Sequence, residues 1–91
     1  MKPKAATEEL SILCKALAHP VRVQILHLLW ERRCPCGELV DALPVAQSTV
    51  SEHLRILKEA GLVMDEAEGL RRHYSVNERL LERLKALITT L

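Results

Sequence analysis

Ninety-one residues make a single domain, near the lower size at which one hydrophobic core holds together without a partner, so self-association is expected. Apolar residues make up 48% and charged residues 27%, a globular balance, while the net charge of +1 excludes bulk basicity as an argument for a nucleic-acid partner. No apolar run approaches the roughly 20 residues that span a bilayer, and no signal-type stretch follows Met1-Lys2-Pro3-Lys4, so a soluble, cytoplasmic chain with no membrane partner is expected.

One Trp, one Tyr and no Phe leave the core to Leu, Val, Ile and Ala, which favours helices. Residues 1–6 read as a flexible start to a single domain over 7–91. Leu10, Leu13, Cys14 and Leu17 then form an i, i+3, i+4, i+7 stripe, predicting a first helix over about 8–18 with Thr7 placed to cap it. The His19-Pro20 step ends that helix and opens a second, to about residue 32, apolar nearly all round and hence central. Pro35 and Gly37 break the chain before a short third helix, about 37–43, with Leu39, Val40 and Leu43 inward.

Pro44 closes that helix, and after a tight turn a fourth is predicted over about 47–60, with Val50, Leu54 and Leu57 on one face and Gly61 suited to its left-handed end. Short helix, tight turn and longer helix make a helix-turn-helix pattern. From Leu62 the period changes, and two runs flanking an acidic turn with Gly69 predict a β-hairpin over about 62–76. Asn77 can cap a last helix, about 78–91, striped by Leu80, Leu81, Leu84, Leu87, Ile88 and Leu91. The fold class is therefore mainly α with a small β-hairpin, a winged helix-turn-helix. With nothing left inside so small a domain for the last helix to cover, a homodimer is expected through the first and last helices, on Leu10, Leu13, Leu17, Leu80, Leu84, Leu87, Ile88 and Leu91, the alternative being that the last helix folds back over the protomer's own core.

Burying Val50, Leu54 and Leu57 turns Gln47, Ser48, Ser51, Glu52 and Arg55 outward, with Thr49 beside them. A recognition helix needs such a polar N-terminal face, because its first residues reach base edges in the major groove of double-stranded operator DNA. Gln47 pairs bidentately with adenine, Ser48, Thr49 and Ser51 bond phosphate or base, and Arg55 takes guanine or phosphate. His53, beside the buried stripe, is a packed or phosphate-bonding residue. In the hairpin, Arg71 and Arg72 are candidate phosphate or minor-groove contacts, against the alternative of two solvated arginines balancing the acidic turn.

Three segments together resemble the ArsR/SmtB family of bacterial repressors. They are residues 43–63, which contain Gln47-Ser48-Thr49-Val50-Ser51-Glu52-His53-Leu54, then Ala18-His19-Pro20-Val21-Arg22 with Ile25 and Leu26, and the strand Tyr74-Ser75-Val76. The resemblance covers nearly the whole chain in order, and implies a homodimer that represses transcription until an effector loosens its hold on DNA. Glu52 departs from the basic residue or Gln common at its position, so it either accepts from a cytosine amino group or points away from phosphate.

The resemblance also implies a metal or metalloid response through Cys-x-Cys near the third helix. Here Cys34 and Cys36 stand there, one position out of the usual register, and the wing reads His73-Tyr74-Ser75 where similar chains often carry Cys-Tyr-Cys. Three cysteines, two of them one residue apart, form no disulfide framework. Two thiolates suit As(III), Sb(III) or Hg(II), or two corners of a Zn(II) site, with Cys14 or His73 as a further ligand, and thiol oxidation is the alternative signal. No cofactor is required. The last helix has neither His nor Cys, which argues against a zinc site there. Other readings are a winged-helix regulator without a metal effector and a protein-protein interaction module. An enzyme is excluded by the lack of a spaced nucleophile-base pair, a phosphate loop or paired carboxylates in a cleft.

Overall fold

The computed structural model describes residues 4–31 and 34–91, and for residues 4 and 34–36 the backbone alone. Its elements are α1 (Lys4–Leu17), α2 (Pro20–Glu31), β1 (Cys34–Pro35), α3 (Cys36–Ala42), α4 (Gln47–Glu59), β2 (Val63–Glu68), β3 (Arg71–Val76) and α5 (Glu78–Thr89). Helix α1 starts at Lys4, so residues 4–6, expected to be flexible, are helical, and Thr7 lies inside the helix instead of capping it. Ala5 and Ala6 are strong helix formers, which extends the turn toward the N-terminus.

His19 divides α1 from α2, whose axes bend by 93°. Its carbonyl accepts from Arg22 and Val23 N–H, and its ring Nδ1 accepts from Val21 N–H at 3.1 Å, so a histidine fills the N-cap role ahead of Pro20. Ile25, Leu26 and Leu29 carry α2 into the core, where α1 adds Leu13 and Ala16, α3 adds Leu39, and α4 adds Val50, Leu54 and Leu57. The expectation that α2 is enclosed all round is corrected by Val23 and Trp30, which stay exposed, Lys85 of α5 lying 5.6 Å from the Trp30 ring.

The hairpin pairs β2 with β3 in the register Val63↔Val76 to Glu68↔Arg71, turning at Gly69 in the left-handed region. The sheet has a third strand that sequence patterning does not signal. The two-residue β1 pairs antiparallel with β3, Cys34 opposite Tyr74 and Pro35 opposite His73, giving the order β1-β3-β2. Two residues are too few to show a period, and a proline is tolerated because β1 is an edge.

Gly61 ends α4 at φ 87°, and Asn77 starts α5. Asn77 uses its side chain twice, accepting from Leu80 N–H at 3.2 Å and donating to Gly61 C=O at 2.9 Å, while its own N–H bonds Leu62 C=O at 2.9 Å. The end of α4 and the start of α5 are thus tied across the base of the hairpin. Helix α5 does have an interior to cover. Leu84 is 2% exposed, as is Leu13 on α1, so both belong to the protomer's own core and not to a surface between copies. The Arg83 guanidinium meets Glu9 at 2.8 Å beside them, joining α5 to α1.

Candidate nucleic-acid interface

Helix α4 is two-sided. Val50, His53, Leu54 and Leu57 are buried, whereas Gln47, Ser48, Thr49, Ser51, Glu52 and Arg55 are exposed along one side. Ala46 precedes the helix in an extended conformation without a side-chain cap, and its carbonyl accepts from Thr49 and Val50 N–H. The polar side chains of the first turn therefore emerge from a helix that the core holds by its opposite face.

Charge on that face is paired. Arg55 donates through Nε to Glu52 at 3.1 Å and through Nη1 to Glu59 at 2.8 Å, with a further bond from Nη2 to Glu52. The Arg55 bond holds the Glu52 carboxyl below the usual carboxylate range, and Glu52 ahead of Glu59 raises the guanidinium above its already high value. Toward the hairpin, Asp65 of β2 accepts from Lys58 Nζ at 3.0 Å and from Arg72 Nη1 at 2.6 Å. Its side chain is only 9% exposed, and Lys58, then Arg72, lower its pKa. Between helix and hairpin lies a cleft of about 320 Å³ bordered by Ser51, Arg55, Lys58, Asp65, Arg72 and Tyr74. Arg71 is exposed at the strand's start, opposite Glu68.

His53 lies inside, 7% exposed, away from the side that carries Gln47 and Ser48. Its Nδ1 accepts from Arg22 Nε at 3.0 Å, and its ring sits 4.3 Å from that of His19. Burial first, then His19 and Arg22, push its pKa below the ordinary 6.5, with Glu52 opposing. Sequence reasoning did not anticipate Asp65 as a bridge or Arg22 as a partner. For Asp65 the signal was parity, since strand alternation puts this acid on the same side as buried Val63.

The side chains of Cys34 and Cys36 lie outside the described residues. The backbone register sets β1 against His73 and Tyr74. His73 Nδ1 is buried without a hydrogen bond, Glu68 Oε2 lying 3.2 Å away as an ion-pair partner for a protonated ring. Cys14, whose place on the apolar stripe of α1 reads as a small buried core residue, is instead exposed. Among the described residues no three His, Cys, Asp or Glu side chains converge on one point.

Comparison with known proteins matches residues 19–65 to the family model described as "Bacterial regulatory protein, arsR family". Over 67 residues the chain is 46% identical to the "HTH-type transcriptional repressor SmtB" of Mycobacterium tuberculosis, covering 74% of this chain and 50% of that protein. The chain thus spans half the length of that relative. Among solved structures, a homodimeric winged helix-turn-helix DNA-binding domain from Mycobacterium bovis superposes with a TM-score of 0.80 at 32% identity, covering 94% of this chain and 80% of that one. A protein named as a possible transcriptional regulator for arsenical resistance superposes with a TM-score of 0.78 at 33% identity, covering 87% and 81%.

Proposed function

The chain belongs to the arsR family of bacterial regulatory proteins, and we propose that it acts as a homodimeric repressor that reads operator DNA with α4 and releases it on a thiol-directed signal. The observation that carries the DNA reading is the exposed polar side of a helix whose other side is the core of the fold. Gln47, Ser48, Thr49 and Ser51 meet base edges and phosphates at the floor of the major groove, and Arg55, Arg71 and Arg72 meet phosphate or groove edges. Glu52, paired to Arg55, presents a carboxylate acceptor suited to a cytosine amino group. His53 leaves the contact set and supports the helix from behind.

The dimer forms on the flank of α1 and α5 that the protomer leaves apolar, which includes Leu10, Leu17, Leu80, Leu87, Ile88 and Leu91, with Ile88 and Leu91 the most exposed of these. The M. bovis domain, homodimeric by its own description, supports self-association.

The signal acts at Cys34 and Cys36. A thiophilic ion would draw two thiolates and an imidazole into one coordination sphere. His73 suits the third position better than Cys14, because its strand pairs with β1 and its Nδ1 is buried without a hydrogen bond. The arsenical-resistance description of a structural relative favours a metalloid over an oxidant. Helix α3 follows β1 directly and packs against α4, so a shift at the thiols reaches the reading helix in one step.

The test is a mobility shift on duplexes enriched by this protein from a random library, over a range of salt and with arsenite, Hg(II), Zn(II) or peroxide added. Affinity falls steeply with salt if phosphates are contacted, whereas a protein-binding module gives no shift. Release by arsenite in the wild type and its loss in C34S/C36S is expected. Undiminished release in that variant overturns the thiol assignment.

A further inference from the structure

We propose that Arg22 is a positioning residue that transmits the placement of α1 to the reading helix through His53, and that this joint holds only while Nδ1 of His53 is a hydrogen-bond acceptor. It rests on the reading of α4 as the DNA-contacting helix. Arg22 is half-buried at the start of α2 and reaches two elements at once. Its Nη1 donates to the carbonyls of Lys15 and Ala16, at 3.2 and 3.3 Å, in the last turn of α1, where the Lys15 carbonyl also accepts from Ala18 N–H at 3.2 Å. Its Nε donates to His53 at 3.0 Å, thirty-one residues along the chain and on the buried side of α4. One planar guanidinium thus fixes the distance and angle between the end of α1 and the middle of α4, and its fork geometry allows no equivalent from lysine.

The histidine half of the joint has a defined protonation state. To accept from Arg22, Nδ1 must carry a lone pair, so the ring is neutral with its proton on Nε2. A proton on Nδ1 sets two donors, and two cations, against each other. The titratable and charged groups that face His53 are His19 from the α1–α2 turn, Arg22 from α2 and Glu52 on its own helix. The first two disfavour the imidazolium, and Glu52 is already committed to Arg55. The joint is intact at neutral pH and opens as the pH falls through the depressed pKa of His53, below 6.5. Since α1 is also a helix of the proposed dimer, acidification disconnects the reading helix from the element that spaces the two half-sites.

The experiment measures operator affinity from pH 7.5 down to the lowest pH at which circular dichroism shows every variant folded, on a duplex enriched by this protein at pH 7.5, for the wild type, H53N, H53L and R22K. Asparagine places an oxygen acceptor near the position of Nδ1 and does not titrate. The expected result is an affinity loss of about tenfold on acidification in the wild type, a flat profile at near wild-type affinity in H53N, and about tenfold weaker binding at every pH in H53L and R22K with the fold retained. His19, His27 and His73 are common to the wild type and H53N, so the difference between these profiles belongs to His53. Binding with the same pH profile in the wild type and H53N overturns this proposal alone. Absence of binding at every pH overturns the reading of α4 and this proposal with it.

Discussion

Asp65 of β2 holds Arg72 of β3 at 2.6 Å, a diagonal pair on the same side of the hairpin, since Asp65 lies opposite Tyr74 and Arg72 opposite Ala67. The same carboxylate takes Lys58 from α4, so one half-buried acid joins the hairpin to α4 and offsets one of the two positive charges facing the cleft between them. Asp65→Asn removes the cancellation. The slope of log affinity against log salt steepens by about one for each phosphate gained, and sequence-independent binding rises several-fold. An unchanged slope in a filter-binding series would show that the two cations do not approach DNA. The strap weakens only in strong acid, because the lowered pKa of Asp65 means that its stabilisation, complete above 3.8, fades as the pH falls through the native value.

Glu52 and Arg55 act as a unit, and substituting either changes both. Glu52→Ala frees the guanidinium from its closest partner, so affinity rises for guanine at the contacted position and discrimination in favour of cytosine falls by about tenfold. Selection from a randomised duplex, compared between wild type and variant, reads this directly. Identical selected sequences would place the pair off the base edges.

Leu57 is fully buried at the centre of the core, where α4 faces α2. Leu57→Ala should lower the free energy of unfolding by about 2–5 kcal/mol in urea titration, through lost burial and the cavity left behind. In a domain of this size that approaches the whole stability.

Ile88 and Leu84 lie on the same helix with opposite exposure, 48% and 2%. Ile88→Glu is expected to leave the fold intact and shift sedimentation toward the monomer, with at least a tenfold rise in dimer dissociation constant. Leu84→Glu instead buries an unpaired carboxylate and unfolds the chain. A dimer undisturbed by Ile88→Glu would move the interface elsewhere.

Much of this architecture is legible in the residues because periodicity reports burial. The stripe Val50, Leu54, Leu57 and the cap Asn77 both appear in the structure where spacing puts them. Two things escaped for physical reasons. A strand as short as β1 carries no period, and its existence depends on β3, some forty residues away. The long-range polar ties, Arg22 to His53 and Asp65 to Lys58, depend on which side chains the tertiary fold brings together, and local propensity carries no such information. The dimer stripe was overdrawn at Leu13 and Leu84 for a related reason. An apolar helix face looks alike whether it covers its own core or a second copy.

The tie at the base of the hairpin separates the tip of the wing from the joint between α4 and α5. Because Asn77 bonds both Gly61 and Leu62, the path from α4 to α5 is closed before the strands begin, and the hairpin over residues 63–76 that follows in the covalent chain is bypassed. Residues inserted near Gly69 would lengthen the wing without altering how α4 is oriented on α5. One residue inserted between Gly61 and Leu62 would break the closure. The tip of the wing is therefore the segment whose length can change while the rest of the fold stays constant.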